Sequence, residues 1–262
     1  MRESVTEAAE TLMDEHGRHA TFWPFAASFE IADLDGAYAV QREFVRLQME
    51  RRGVRPVGYK VGLTSPRMQA MCGIDRPIAG VILEDRLQPS GTHLEVTRYG
   101  RLGLEFEIAV RLGRDLRPQG GRVELSQVAE AAEAVCPAME IVDDRHCDYK
   151  TLDVLSLVAD NSWNQGAVLG RFQHPWPDLA SIEGAVSMNG EAVDRGAGRD
   201  VLGHPFQSVA WLAEHLAEAG GLLRAGDIVM TGNIVTTKFP AAPSQWRFDV
   251  PGLGSVDLSI DR

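Results

Sequence analysis

Two glutamates alternate with apolar residues in the segment 104–110, LEFEIAV. On a β-strand, the apolar side chains would share one face, and Glu105 and Glu107 would share the other, roughly 6.6 Å apart along the backbone. Ionised carboxylates so placed repel each other unless solvent or a cation lies between them. A divalent cation with oxygen ligands would resolve the repulsion. Two exposed acids on a solvated edge strand also fit this segment, and for the segment alone this is the favoured interpretation.

A third glutamate favours the metal. Glu140 lies within PAMEIV at 137–142, where the apolar residues on either side of it would point to the opposite face of a strand. An acid in so apolar a strand needs a partner or a metal. Asp143 and Asp144 follow at once and fit an acidic turn after the strand. We therefore predict a divalent-metal site formed by Glu105, Glu107 and Glu140.

Lys60 is the candidate for proton transfer. The chain has only three lysines among 26 basic residues, and Lys60 lies between Gly58 and Gly62 on one face of a predicted strand. Small neighbours leave room for a ligand, and partial burial could lower the pKa of Lys60 enough for it to shuttle protons. A structural ion pair between Lys60 and a core acid is the alternative.

Composition and missing motifs exclude several classes of function. The net charge of -11 makes nucleic acid and anionic membranes poor partners. The sequence contains no GxSxG, HExxH or P-loop motif, and 146–148 (His-Cys-Asp) is interpreted as surface because consecutive residues point to opposite faces. We predict a cytoplasmic protein from three features of the sequence. The number of cysteines is odd, the N-terminus does not resemble a signal peptide, and there is no long apolar stretch.

The elements that would position these residues are mostly strands. Two helices are predicted first, over 4–16 and from a cap at Asp33 to a stop at Gly53. Strands are predicted at 57–63, 104–110, 137–142, 163–169, 185–188, 228–231, 247–250 and 255–260. Further helices are predicted at 126–135 and 205–216, with a short one from a cap at Ser65 to Gly73. Because strands and helices do not alternate regularly, an α+β fold is favoured over a doubly wound sheet. We expect a helical segment at 1–55 and a catalytic domain at 56–262.

Several motifs together resemble the hydratase/decarboxylase branch of the fumarylacetoacetate hydrolase superfamily. They are GYKVGLTS at 58–65, GIDRPIAG at 73–80, LEFEIAVRLGRDL at 104–116, PAMEIVDDR at 137–145, VADN at 158–161, GAG at 196–198, LGHP at 202–205 and LRAGDIVMTG at 223–232. The resemblance implies a mixed β-sandwich roll of the superfamily's C-terminal type and Mg²⁺ or Mn²⁺ on the three glutamates. It also implies that Lys60 is catalytic and that the protein acts in aromatic-compound catabolism. The protein would form a homo-oligomer and could associate with a partner enzyme of the same pathway.

The resemblance places the substrate, a small 2-oxo acid, beside six further residues: Ser65, Ile78, Asn161, Ser162, Thr231 and Lys238. Three of these stretches depart from the family pattern. Ile78 stands where hydratases of the branch carry an acid, a bulky Trp163 follows Ser162, and the late turn at 231–233 reads Thr-Gly-Asn. Lys238, just beyond that turn, could pair with a second carboxylate of the substrate, or be an ordinary surface lysine.

The expected reaction is therefore the hydration of a 2-hydroxy-alkadienoate or 2-oxo-alkenoate. Decarboxylation of a 2-oxo-alkenedioate is the nearest alternative, and Ile78 favours it. Cleavage of a C–C bond in an acylpyruvate and a non-catalytic partner subunit are two more distant possibilities. The sequence shows no His–Glu pair placed for the hydrolase, and the complete acid triad weighs against an inactive subunit.

Overall fold

The computed structural model describes residues 2–118 and 120–262. Short 3-10 helices connect several of the regular elements. In chain order these are α1 (Arg2–Gly17), α2 (Leu34–Arg52), β1 (Pro56–Gly62), α3 (Pro66–Met71), β2 (Ile78–Leu83), β3 (Leu87–Pro89), β4 (Thr92–Glu95), β5 (Leu102–Leu112), α4 (Leu125–Ala131), β6 (Ala132–Asp143), α5 (Val154–Ala159), β7 (Asn164–Leu169), β8 (Glu183–Met188), β9 (Glu191–Ala197), α6 (Pro205–Glu218), β10 (Ile228–Met230), β11 (Ser244–Val250) and β12 (Gly254–Asp261).

The strands form two sheets. The larger has seven strands in the order β2-β1-β10-β5-β6-β7-β3, and the smaller has five in the order β4-β12-β11-β8-β9. Both are mixed: β1 pairs parallel with β10 but antiparallel with β2, and β12 pairs parallel with β4 but antiparallel with β11. This arrangement confirms the predicted α+β fold with two sheets.

Local signals in the sequence explain most element boundaries. The Asp33 carboxylate accepts the Gly36 amide at the start of α2, and Gly53 ends this helix in the left-handed conformation, with φ of 67°. The Ser65 side chain caps α3 in the same manner. Asn189 and Gly190 both have positive φ, as a two-residue hairpin between β8 and β9 requires.

One predicted helix is too long. The alanine-rich segment 126–135 favours a helix by propensity, but α4 ends at Ala131 and the next four residues belong to β6. Ala132 pairs with Leu112 of β5, so the long β5–β6 ladder overrides the local preference. The segment 152–159, which the pattern left unassigned, forms α5 over its last six residues.

The N-terminal helices share the main hydrophobic core. Buried residues of α1 and α2, such as Leu12 and Phe44, belong to the same apolar cluster as Ile108 of β5 and Phe248 of β11. The division into a segment 1–55 and a domain 56–262 stays a prediction. None of the described helices combines the length and the apolar character that crossing a bilayer requires.

Candidate metal centre

The register of β5 against β6 brings three glutamates together. Glu105 of β5 lies directly opposite Glu140 of β6, and Glu107 follows two residues later on the same face of β5. One carboxylate oxygen from each residue lies within 4.8 Å of the other two. Among the described residues, this is the one group of acidic, histidine or cysteine side chains arranged so that it could hold a metal ion.

Each carboxylate is oriented by one hydrogen bond. The Glu107 Oε2 atom accepts the Gly232 amide at 2.8 Å, the Glu140 Oε1 atom accepts the Asn164 side-chain amide at 2.9 Å, and the Glu105 Oε1 atom accepts the Thr237 hydroxyl at 2.8 Å. These bonds fix the side-chain rotamers from three different parts of the chain. Such support from outside the ligand set is what a metal site needs.

Two carboxylate oxygens have no protein partner. Glu107 and Glu140 are both fully buried, yet the Glu107 Oε1 and Glu140 Oε2 atoms accept no hydrogen bond in the described structure. A buried acceptor without a partner is costly, and two in one cluster of acids favour a bound cation. Three carboxylates are a suitable oxygen donor set for Mg²⁺ or Mn²⁺, so the residues present fit a divalent metal.

The electrostatics of the cluster point the same way. Burial, together with the neighbouring carboxylates, raises the pKa of Glu107 well above its usual value. Burial also raises the pKa of Glu140, to about 7, although Lys60 opposes this shift. A bound divalent cation would offset both the burial and the repulsion.

Lys60 completes the cluster. Its ammonium lies 3.3 Å from the Glu140 Oε1 atom, and the residue is only 4% exposed. Burial alone lowers the pKa of Lys60, but the carboxylates of Glu140, Glu105 and Glu107 outweigh burial and raise it. The expectation that burial lowers the pKa of Lys60 is therefore wrong for Lys60 among these carboxylates alone. Lys60 is a buried ammonium paired with Glu140, as the structural ion-pair alternative expects, and its role in proton transfer stays a prediction.

Glycines leave the space that Lys60 fills. A Cβ atom at Gly62 would lie 3.3 Å from the Lys60 ammonium, and one at Gly80 would lie 3.1 Å from the Lys60 Cγ atom. Gly80 is the direct partner of Lys60 across the β1–β2 ladder. The small neighbours inferred from the sequence therefore have a packing role, since larger side chains would displace Lys60.

A cavity of about 330 Å³ opens beside Lys60 and Glu105. Of the six residues predicted to contact substrate, Ser65, Ile78 and Ser162 line it. Much of the remaining wall is apolar, and it includes Trp163, whose indole N–H is buried without a hydrogen-bond partner in the described structure. The cavity thus joins a polar end at Lys60 and Glu105 to an apolar wall that includes the Trp163 indole N–H.

The other three predicted substrate residues have structural partners instead. The Asn161 side chain pairs with both backbone groups of Val81, at 2.7 and 2.9 Å, and the Thr231 hydroxyl donates to the Ile108 carbonyl at 2.8 Å. Lys238 contacts Asp194 at 2.5 Å, so its charge is already neutralised. None of the three is among the described residues that line the cavity, and their contact with substrate stays a prediction.

Ser162 and Trp163 are held in an unusual backbone. Residues 161–163 all have positive φ, between 49° and 60°, a conformation that non-glycine residues seldom adopt. The preceding Asp160 is fully buried and is anchored by Arg145 at 2.6 Å and by His16 of α1 at 2.5 Å. This buried ion network fixes the segment that forms one wall of the cavity.

Sequence reasoning missed the residues that orient the glutamates. Asn164 and Thr237 carry ordinary polar side chains next to other polar residues, so no sequence signal identifies them. Asp143 and Asp144 are not an exposed acidic turn: Asp143 accepts backbone amides, and Asp144 binds Arg101. Cys147 is expected at the surface but is buried, with an exposed fraction of 5%.

Comparison with known proteins agrees with this geometry. The pattern of the fumarylacetoacetate hydrolase C-terminal family matches residues 71–260. The 2-keto-4-pentenoate hydratase 1 of Dechloromonas aromatica (strain RCB) is 37% identical over 261 residues, covering 96% of this chain and 95% of the relative. A 4-oxalocrotonate decarboxylase of Pseudomonas putida is 36% identical over 222 residues, covering 84% and 83%.

A solved structure is similar over nearly the whole chain. The 4-oxalocrotonate decarboxylase from Pseudomonas putida G7, complexed with magnesium and adipate, superimposes with a TM-score of 0.92 at 33% identity. The match covers 99% of this chain and 98% of the other.

Proposed function

The chain belongs to the fumarylacetoacetate hydrolase family, and on that premise we propose that it is a divalent-metal-dependent lyase acting on a small 2-oxo acid, with Mg²⁺ or Mn²⁺ as its metal. One observation carries the proposal: Glu105, Glu107 and Glu140 converge beside Lys60, and two of their buried oxygens have no protein partner. Bound there, the metal would supply Lewis-acid polarisation of the 2-oxo group.

The chain's own residues supply the proton chemistry. Lys60 is buried beside three carboxylates, 3.3 Å from the Glu140 Oε1 atom, and their negative charge raises its pKa. With that charge offset by a divalent cation on these carboxylates, Lys60 would donate a proton more readily to the substrate as negative charge develops at the 2-oxygen.

Ser65 and Ser162 line the same cavity. The Ser65 hydroxyl oxygen accepts the Met68 amide, which leaves the Ser65 proton to hold the substrate. The Ser162 hydroxyl donates to the Ala79 carbonyl, which leaves the Ser162 lone pairs for the same purpose.

Water addition and decarboxylation both develop this charge, so the glutamates alone do not choose between them. The wall beside Lys60 does favour one of them. Ile78 is only 2% exposed and lies near Lys60. A Cβ atom placed on Gly62 would lie 3.3 Å from the Ile78 Cγ1 atom and 3.3 Å from the Lys60 ammonium. No acid stands there to activate a water molecule. Decarboxylation needs no such group, because CO₂ leaves and the electron pair of the broken C–C bond moves toward the 2-oxygen.

Decarboxylation of a 2-oxo-alkenedioate is thus the reaction that the geometry supports best, and hydration is the second candidate. The sequence similarity to a hydratase over 96% of the chain favours the second. Proton NMR of the products decides between them. With 4-oxalocrotonate as substrate, decarboxylation yields a dienoate one carbon shorter and CO₂, whereas a hydratase converts 2-hydroxypenta-2,4-dienoate and leaves 4-oxalocrotonate intact.

The remaining alternatives have less support. No histidine is found among the described residues that line the cavity, so cleavage of an acylpyruvate by a His–Glu pair has no residues to perform it. The complete glutamate cluster weighs against a non-catalytic subunit. A homo-oligomer, a cytoplasmic location and association with a pathway partner enzyme remain predictions from the family resemblance.

We infer that Arg67 is the positively charged residue that binds a second carboxylate of the substrate. Arg67 and Lys60 are the two basic residues that line the cavity within the described chain, and Arg67 forms no ion pair there. Lys60 is engaged by the glutamates, so Arg67 is free to bind a distal carboxylate. Support comes from the relative that was solved with adipate, a dicarboxylate. We therefore expect a dicarboxylate substrate.

Replacing Arg67 with methionine should raise KM for a 2-oxo dicarboxylate. We expect roughly a fivefold rise, because a charge-assisted contact on a solvent-exposed side chain contributes only ~1 kcal/mol. The KM for a monocarboxylate of the same chain length should hardly change. Steady-state kinetics on both substrates provide the measurement.

Lys238→Met is the matched control, because Lys238 already pairs with Asp194 outside the cavity. It should leave KM for either substrate unchanged. If Lys238→Met impairs the dicarboxylate and Arg67→Met does not, the assignment of the distal cation is reversed.

A further inference from the structure

A second cavity of this acidic protein has four arginines in its lining. It measures about 220 Å³ and lies among α1, α2 and two 3-10 turns. Arg51, Arg52, Arg86 and Arg98 line it, whereas Asp143 is the one acid among its described lining residues. In a chain with net charge -11, four arginines around one small space require an explanation. We call this space the arginine cavity.

The acids nearby do not neutralise the arginine cavity. Asp143 uses both carboxylate oxygens on backbone amides, those of Gly100, Arg101 and Arg145. Arg98 pairs with Glu95 at 2.8 Å, outside the cavity lining. Asp143 is therefore committed to the backbone, and the Arg98 pair is largely solvent-exposed.

The other three arginines are compensated only in part. The Arg52 Nη2 atom forms an ion pair with the Asp85 Oδ1 atom at 3.1 Å, whereas its Nε atom is buried without a hydrogen bond in the described structure. Burial lowers the pKa of Arg52, and the charge of Arg86 acts in the same direction while Asp85 opposes it. Arg51 and Arg86 form no ion pair within the described residues. Donors and positive charge are therefore in excess.

We propose that the arginine cavity is a binding site for a small multivalent anion that presents carboxylate or phosphate oxygens. Guanidinium groups bind such oxygens in pairs, and several of them around one space favour a multivalent ligand. The volume equals that of several water molecules, at about 30 Å³ each, so the ligand is of metabolite size. His16, His19, Gln48 and Gln165 add polar groups to the lining.

The site is distinct from the metal centre. The two cavities share no lining residue within the described chain. His16 nevertheless connects them, because its ring lines the arginine cavity and also contacts Asp160, which anchors the segment 161–163. An anion bound in the arginine cavity would therefore lie one side chain away from the wall of the catalytic cavity.

Calorimetric titration of the Mg²⁺-loaded protein tests the proposal, with tricarballylate and inorganic phosphate as probes at constant ionic strength. We expect saturable binding of at least one probe. Arg51→Gln combined with Arg86→Gln should weaken it by about tenfold or more, since two charge-assisted contacts are lost. The two single variants are titrated as well, so that the test survives if the double variant does not fold. Preference for one probe distinguishes a carboxylate ligand from a phosphate ligand.

The matched control replaces Arg114 and Arg171, two exposed arginines outside both cavities, with glutamine. This pair changes the net charge equally and should leave probe binding within about twofold of the wild type. Absence of saturable binding of either probe would overturn the proposal. Equal weakening in the two double variants would also overturn it, since binding would then depend on overall charge alone.

Discussion

Replacing Glu140 with glutamine is expected to abolish turnover and to weaken Mg²⁺ or Mn²⁺ binding by more than about a hundredfold, because loss of a supporting residue alone typically costs 10–100-fold. Glu140 contributes one of the two buried oxygens that lack a protein partner. Glutamine has nearly the same shape but carries no charge, so the fold is retained while the ligand set loses a negative charge.

Isothermal titration with each metal, together with circular dichroism, provides the measurement. Glu133→Gln is the matched control, since Glu133 lies on the same strand but is solvent-exposed and pairs with Arg111. It should bind metal as the wild type does. Unchanged metal affinity in a folded Glu140→Gln protein would remove Glu140 from the ligand set.

Replacing Lys60 with arginine should lower kcat nearly as far as replacing it with methionine, by roughly a hundredfold to ten-thousandfold for a lost proton donor. Arginine keeps the positive charge but does not release a proton at neutral pH. It also requires more space than Gly62 and Gly80 leave around this side chain. Metal binding should persist in both variants, because the three glutamates are unchanged.

Single-turnover kinetics, with metal titration in parallel, separate these effects. Lys150→Arg serves as the control, since Lys150 is exposed and lies outside the cavity. Wild-type kcat in Lys60→Arg would show that Lys60 contributes only its charge. Loss of metal binding in Lys60→Met would instead make Lys60 a support of the metal site.

Part of the metal centre could be predicted from local pattern. Alternation along a strand is a local property, so the common face of Glu105 and Glu107 follows from the sequence itself. The register that places Glu140 opposite Glu105 is not local, because it depends on how two long strands pair. The position of Lys60 depends on yet another pairing, of β1 with β10 and β2.

The substrate side was harder to predict, because the partner of a side chain decides its role. Lys238 follows the predicted turn, but Asp194 of β9 neutralises it. Arg67, a residue without any motif, has no such partner and lines the cavity. Position along the chain does not reveal these pairings, which form between elements distant in sequence.

Helix propensity failed for the same reason at 132–135. The two alanines and the glutamate there favour a helix, yet the β5–β6 ladder extends through them. Capping signals succeeded at Asp33 and Ser65 because a cap and its helix lie within a few residues of each other.

The most direct test of the metal-dependent lyase is turnover measured by NMR in the presence of excess EDTA and again after addition of Mg²⁺ or Mn²⁺, with 4-oxalocrotonate and 2-hydroxypenta-2,4-dienoate as substrates. The convergent glutamates predict no turnover of either substrate in EDTA and recovery of one reaction with either metal. Full turnover by the chelated protein would contradict the account, because the free oxygens of Glu107 and Glu140 would then have no cation to bind.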